Sequence, residues 1–209
     1  DRISKDFTKH RAPPCITDLL TGLFPYRAHR WGASKTARRA PNMSTTFLDH
    51  GRLARVKTAY TTRHIDFDGL ATLLEGERVP RSGDLLLARV SELGQHKRIE
   101  RPTGRQATLF AADEVAVCYG HRYAPDQFEA FVPDDLSTCH LVAAGGVAAR
   151  VLTSHALMQP PTVLEPIGLL GDRDGQPANL KNYALTPVPA PGPRPVTIAV
   201  VGTAMNSGK

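Results

Sequence analysis

A chain of 209 residues with 41% hydrophobic content holds one large or two small domains, and none of its apolar runs approaches the roughly 18 residues of a membrane span. Its formal charge of +6 would ordinarily point to a nucleic-acid or anionic-surface partner, yet the surplus sits in one place. Residues 1–42 hold nine Lys/Arg against three acids, and residues 43–209 hold 17 of each, so nucleic acid is disfavoured for the body of the chain.

The first 42 residues begin with Asp1, show no sustained period of 2 or 3.6 and end in the basic stretch Lys35 to Pro41. They are expected to form a disordered basic tail or a mistranslated upstream segment, with Met43 as the true start. A secretory signal does not fit, because the apolar patch Ile16 to Phe24 is broken by Asp18 and Thr21. A transit peptide would suit the arginines, but serine is scarce. Cys15, Cys118 and Cys139 are widely spaced and lack any CxxC pair, which argues for a reducing, cytoplasmic compartment rather than a disulfide framework.

From 43 to 185 the pattern is that of a β-rich domain. Leu53 to Phe67 reads as extended, and Asp68 to Glu75 as a short helix capped by Asp68. Arg81-Ser82-Gly83 marks a turn into Asp84 to Val90, the strongest strand. His96 to Arg101 and Arg105 to Phe110 form a hairpin across Pro102-Thr103-Gly104. Strands follow at Glu114 to Tyr119 and Phe128 to Val132. His140 to Leu152 reads as two strands broken at Gly145-Gly146, and Pro166 to Gly171 and Pro177 to Leu180 flank an Asp172-to-Gly175 turn. Many short strands at near ten-residue spacing predict a small β-barrel or sandwich.

The most polar cluster in this region follows the Glu114-to-Tyr119 strand. His121, Arg122, Tyr123, Asp126 and Gln127 lie close together there, as a candidate ligand or partner loop. Asp126 would orient His121 as a general base, or pair with Arg122 in a plain turn. His96-Lys97-Arg98, beside Glu92 and Glu100, reads as a solvated strand face. No metal site is expected, because Cys139 and His140 are adjacent on a strand and point to opposite faces, a poor partner for the Cys118/His121 pair.

Residues 186–195 carry prolines at every second position from Pro187 to Pro195, the composition of a semi-rigid extended linker. Beyond it, Val196 to Val201 is a β-branched apolar run of the kind buried in parallel sheets. It leads into Gly202, Thr203, Ala204, Met205, Asn206, Ser207, Gly208 and Lys209, where glycines would let backbone N–H groups turn around a polyphosphate and Lys209 would meet its outer phosphates.

With five residues between the first glycine and the Gly-Lys pair, this segment resembles the loop of dethiobiotin synthetase and related P-loop NTPases, over Val196 to Lys209 only. The resemblance implies that 196–209 opens a truncated α/β P-loop domain of a longer protein. It implies Mg-ATP or Mg-GTP as cofactor, a second substrate of unknown identity, and an NTP-dependent enzyme whose β-rich module confers substrate choice or regulation, the 1–209 stretch being inactive by itself. The competing reading is a β-barrel module that binds a ligand or partner without catalysis.

Overall fold

The computed structural model describes residues 43–187, 192, 196 and 198–202. Its strands, in chain order, are β1 (Met43–Phe47), β2 (Lys57–Thr58), β3 (Thr72–Gly76), β4 (Leu85–Glu92), β5 (Arg98–Glu100), β6 (Gln106–Thr108), β7 (Glu114–Tyr119), β8 (Arg122–Tyr123), β9 (Phe128–Phe131), β10 (Cys139–Ala143), β11 (Val147–Ser154) and β12 (Thr162–Gly171). One four-residue helix, α1 (His50–Leu53), is capped by Asp49, whose carboxylate accepts from the Gly51 N–H.

β4 and β7 form the centre, paired antiparallel from Leu85↔Cys118 to Arg89↔Glu114. Their continuous apolar runs are explained by burial on both faces. Leu86, Ala88, Val90, Val115 and Val117 face one core with Ile99, Leu141 and Leu164. The alternate residues Leu85, Leu87 and Ala116 face a second core with Leu53, Val56, Leu70 and Leu73. The ladder continues through β12, β3 and β1 on one side and through β11, β9 and β8 on the other, with β10 joining β11 and β12 and β2 joining β7. β5 and β6 make a separate two-stranded ribbon, anchored in the first core by Ile99 and Ala107.

This architecture corrects the expected fold class. The small barrel or sandwich gives way to a single ten-stranded mixed sheet, with parallel β2–β7 and β7–β11 pairs and with β1 and β8 each paired on one side only among the described residues. Strand spacing encodes strands, not closure. β1 and β8 end the ladder because no further strand among the described residues pairs with them.

The expected helix over Asp68 to Glu75 is also replaced. Asp66, not Asp68, caps a 3₁₀ turn at Phe67–Gly69, and Thr72 enters β3. Leu73 and Leu74 drop into the two opposite cores, a demand that a strand paired on both edges meets and an exposed helix does not.

The α/β P-loop continuation is not seen. No helix among the described residues exceeds four residues. Val196, Ile198, Val200 and Val201 are 73–94% exposed and belong to no strand, so the sheet expected to bury them is absent there. A β-branched hexapeptide has strand propensity, but a strand forms only where a neighbour completes its ladder. Thr186, Pro187 and Gly192 of the proline-rich stretch are likewise outside any strand. Residues 1–42 and Thr203 to Lys209 lie outside the described residues.

Candidate functional site

β3 ends at Gly76 with φ +87, and the loop after it turns through Gly83 with φ +88 to enter β4. Both are left-handed positions that favour glycine. At Gly83 a Cβ would stand 2.8 Å from the Asn179 Oδ1, so the loop also needs glycine for room. Opposite it, β12 ends in a turn where the Asp172 Oδ1 accepts from the N–H groups of Asp174 and Gln176, both at 2.9 Å. The chain then passes Pro177 and reaches Asn179, which caps a 3₁₀ turn at Leu180–Tyr183 by accepting from the Lys181 N–H at 3.1 Å.

A buried clamp joins these two loops. Asp84, 4% exposed, accepts from the Arg81 N–H at 2.7 Å and from the Asn179 Nδ2 at 2.8 Å, and the same Nδ2 donates to the Ser82 carbonyl at 3.0 Å. Both carboxylate oxygens are engaged, so the buried charge is hydrogen-bonded as its desolvation requires. The result is an open cleft of about 610 Å³ beside Leu169 and Pro177. Arg78, Arg81 and Lys181 reach its rim against one exposed carboxylate, Glu77. Arg78 is tied by hydrogen bonds to Glu75 O, Ser44 O and Thr45 Oγ1. The side chains of Arg81 and Lys181 make no hydrogen bond or ion pair among the described residues.

A second cleft, about 730 Å³, lies between α1 and the Asp113–Glu114 corner. Its charges largely satisfy one another. Arg52 grips Glu114 through two hydrogen bonds of 2.7 Å, Arg89 reaches the same carboxylate at 3.4 Å, and Lys57 pairs with Asp113. The Arg52 hydrogen bond holds the Glu114 carboxyl below its usual range, against burial. Partly exposed pairs of this kind contribute at most about 1 kcal/mol, and they leave the cleft little surplus potential. The smaller cleft, with its unpaired cations, is therefore the better anion site.

The polar loop singled out in the sequence forms the β8–β9 hairpin, closed by a turn at 124–127. The Val132 N–H donates to the His121 Nδ1 at 3.3 Å, and the ring packs edge-on to Phe131 at 5.5 Å. The Arg122 Nη2 donates to the Gln127 Oε1 at 2.7 Å, Tyr123 is exposed, and Asp126 lies in the turn. Behind the hairpin, the Arg122 Nε and the His96 Nδ1 are buried without partners among the described residues. Burial pushes the His96 imidazole below its ordinary value, and the Arg122 charge adds to this. His140 is lowered the same way, by burial and then by Arg150.

Two imidazoles held neutral in the fold make stability pH-dependent with a definite sign. Below about pH 6.5 the unfolded chain takes up protons at His96 and His140 that the folded chain resists, so stability falls on acidification and is fully present above that pH. Glu114, depressed in the fold, adds a further loss below its ordinary value of 4.5. Urea midpoints should be level between pH 7 and 8 and lower at pH 5.5, and His96→Gln should flatten the upper part of the decline.

Cys118 and Cys139 are buried and free, and burial raises both thiols, Cys139 to about 12, so neither supplies a thiolate nucleophile. Among the described residues, no three His, Cys, Asp or Glu converge as metal ligands, and no helix is long and apolar enough to cross a membrane.

The chain matches no family model, no curated protein and no solved structure. This, with the all-β architecture, overturns the nucleotide reading and what depended on it: the NTP-dependent enzyme, the Mg-ATP or Mg-GTP cofactor and the nucleotide partner. A phosphate loop needs a strand before it, and the described residues carry none at that point: Gly202 is exposed, and Val196 and residues 198–201 belong to no strand. Fourteen residues of similarity specify a loop composition, not the sheet and helix that make the loop work.

Arg81, Asp84, Asn179 and Lys181 were not singled out from the sequence. Arg81 was part of a turn and Asp84 the first residue of a strand. Asn179 falls inside the segment Pro177 to Leu180 expected to be extended, and its contact with Asp84 spans 95 positions, which no local pattern encodes.

Proposed function

We propose that the β-rich region is a non-catalytic binding module that takes a small organic anion in the cleft above the Asp84–Asn179 clamp. The observation that carries this reading is the pair of unpaired cations, Arg81 and Lys181, held on loops locked together by a buried hydrogen-bonded carboxylate. A carboxylate or phosphate-type headgroup would accept charge-assisted hydrogen bonds from both. The body of the ligand would rest on Pro177, and the amides of Gln176 and Asn182 would select its polar groups.

Titration calorimetry with a panel of small carboxylates and phosphorylated compounds at low salt tests this. A ligand that binds should lose about tenfold or more in affinity with Arg81→Ala or Lys181→Ala, and nearly all binding with both. Arg55→Ala, in the larger cleft, should leave affinity unchanged. Binding that survives the double substitution, or that follows Arg55 instead, places the ligand elsewhere.

A further inference from the structure

Val196, Ile198, Val200 and Val201, exposed at 94, 85, 73 and 86%, form the longest run of uncovered apolar side chains among the described residues. Three of them alternate, so in an extended chain they share one face, and all four are β-branched. Among the described residues no strand pairs with them.

The sheet offers a pairing edge at one end. β1 is five residues long, exposed at every position, and paired on one side only among the described residues, from Met43↔Gly76 to Phe47↔Thr72. It carries no charge and no proline, the usual guards of an edge strand, and it displays Met43 at 54% and Phe47 at 91% exposure. The other end of the ladder, β8, has only two residues and cannot hold a six-residue strand. Arg78 touches β1 at Ser44 O and Thr45 Oγ1, near its start.

We propose that β1 is the docking edge for residues 196–201 of a second copy of this chain, so that two chains exchange strands about a twofold axis. Among the described residues Val196 and residues 198–201 are exposed and pair with no strand, so both the donor and the edge are available in every copy. A reciprocal exchange satisfies both at once and closes without leaving a further edge of this kind. Met43 and Phe47 on one face of β1 then meet the alternating Val196, Ile198 and Val200. Neither strand is charged, so the association is driven by apolar contact and backbone hydrogen bonds and is insensitive to salt.

Sedimentation or light scattering of the full chain over a concentration series tests the exchange. The expected result is a concentration-dependent dimer whose dissociation constant is unchanged between low and high salt. The donor variant Ile198→Lys/Val200→Lys and the acceptor variant Met43→Lys/Phe47→Lys change exposed positions only, and each alone should be monomeric. Mixed together they should form a weaker heterodimer, because one intact strand then meets one intact edge, a rescue that nonspecific stickiness would not produce. The proposal fails if the wild-type chain is monomeric throughout, whether or not amides 198–201 are protected from hydrogen exchange by pairing within the chain. It fails equally if the donor variant still dimerises or the mixture stays monomeric. Because the readout is association without ligand, its outcome is separate from that of the anion site.

Discussion

Replacing Gly146 by alanine should destabilise the fold by about 3 kcal/mol or more, with a fall of roughly 10 °C in melting temperature. Two independent costs add there. Gly146 has φ +98, outside the range that an L side chain adopts without strain. A Cβ at this position would stand 2.0 Å from the Ala59 Cβ and 2.9 Å from the Thr61 Oγ1. Ala59 is fully buried and cannot step aside. The Gly146 carbonyl meanwhile accepts from the Cys118 N–H at 3.0 Å and the Thr61 hydroxyl at 2.9 Å, so moving the turn to relieve the contact would break bonds to β7 and to the 3₁₀ turn at Tyr60–Thr62. Gly145 is the internal control. It has no positive φ and nothing within 4 Å of a built Cβ, so Gly145→Ala should be nearly neutral. Adding Ala59→Gly to Gly146→Ala should recover the part of the loss that comes from the Ala59 Cβ, but neither the Thr61 contact nor the backbone part. Thermal melts of the four proteins decide the matter, and a Gly146→Ala protein that melts like wild type would mean the turn is not built as described.

The same glycine pair shows what the sequence made readable. Gly145-Gly146 inside an apolar run signalled two strands with a break, and β10 and β11 flank it. Glu114 to Tyr119 coincides with β7, and Pro102-Thr103-Gly104 does turn the β5–β6 ribbon, with Gly104 at φ +77. These are local signals, in which the punctuating residue and the strand it ends are neighbours. The failures are of the other kind. Asp68 looks like a helix cap, and only the arrival of β1 and β12 on either side makes β3. The ladder's open ends depend on which strands meet, which no single segment encodes. The strand propensity of 196–201 was legible and its burial was not, because burial belongs to whatever covers it. The polar loop was found, but its side chains mostly serve the hairpin, whereas the cleft is assembled from Arg81 and Lys181, cations in separate turns with no motif between them.

Asp84→Ala should cost about 3 kcal/mol, because it strips an acceptor from two donors at once, the part-buried Arg81 N–H and the buried Asn179 Nδ2. The vacated space is polar on both sides, so no apolar packing offsets the loss. Asp84→Asn should cost less. One amide oxygen still accepts from one of the donors, but its NH₂ then faces the other. Asn179→Asp should be the worst of the series near neutral pH, since it sets a second carboxylate at 2.8 Å from the first, and it should improve on acidification as one of them takes up a proton. Denaturant unfolding at pH 7.5 and 5.5 would show this crossing, with Asn179→Asp gaining on wild type as the pH falls. The comparison also separates scaffold from contact at the proposed anion site. If Arg81 and Lys181 hold the ligand directly, their alanine variants lose binding at unchanged stability, whereas Asp84→Asn loses both together because it loosens the loops that carry them. An Asp84→Asn protein that binds as well as wild type while unfolding earlier would show that the clamp serves the fold alone.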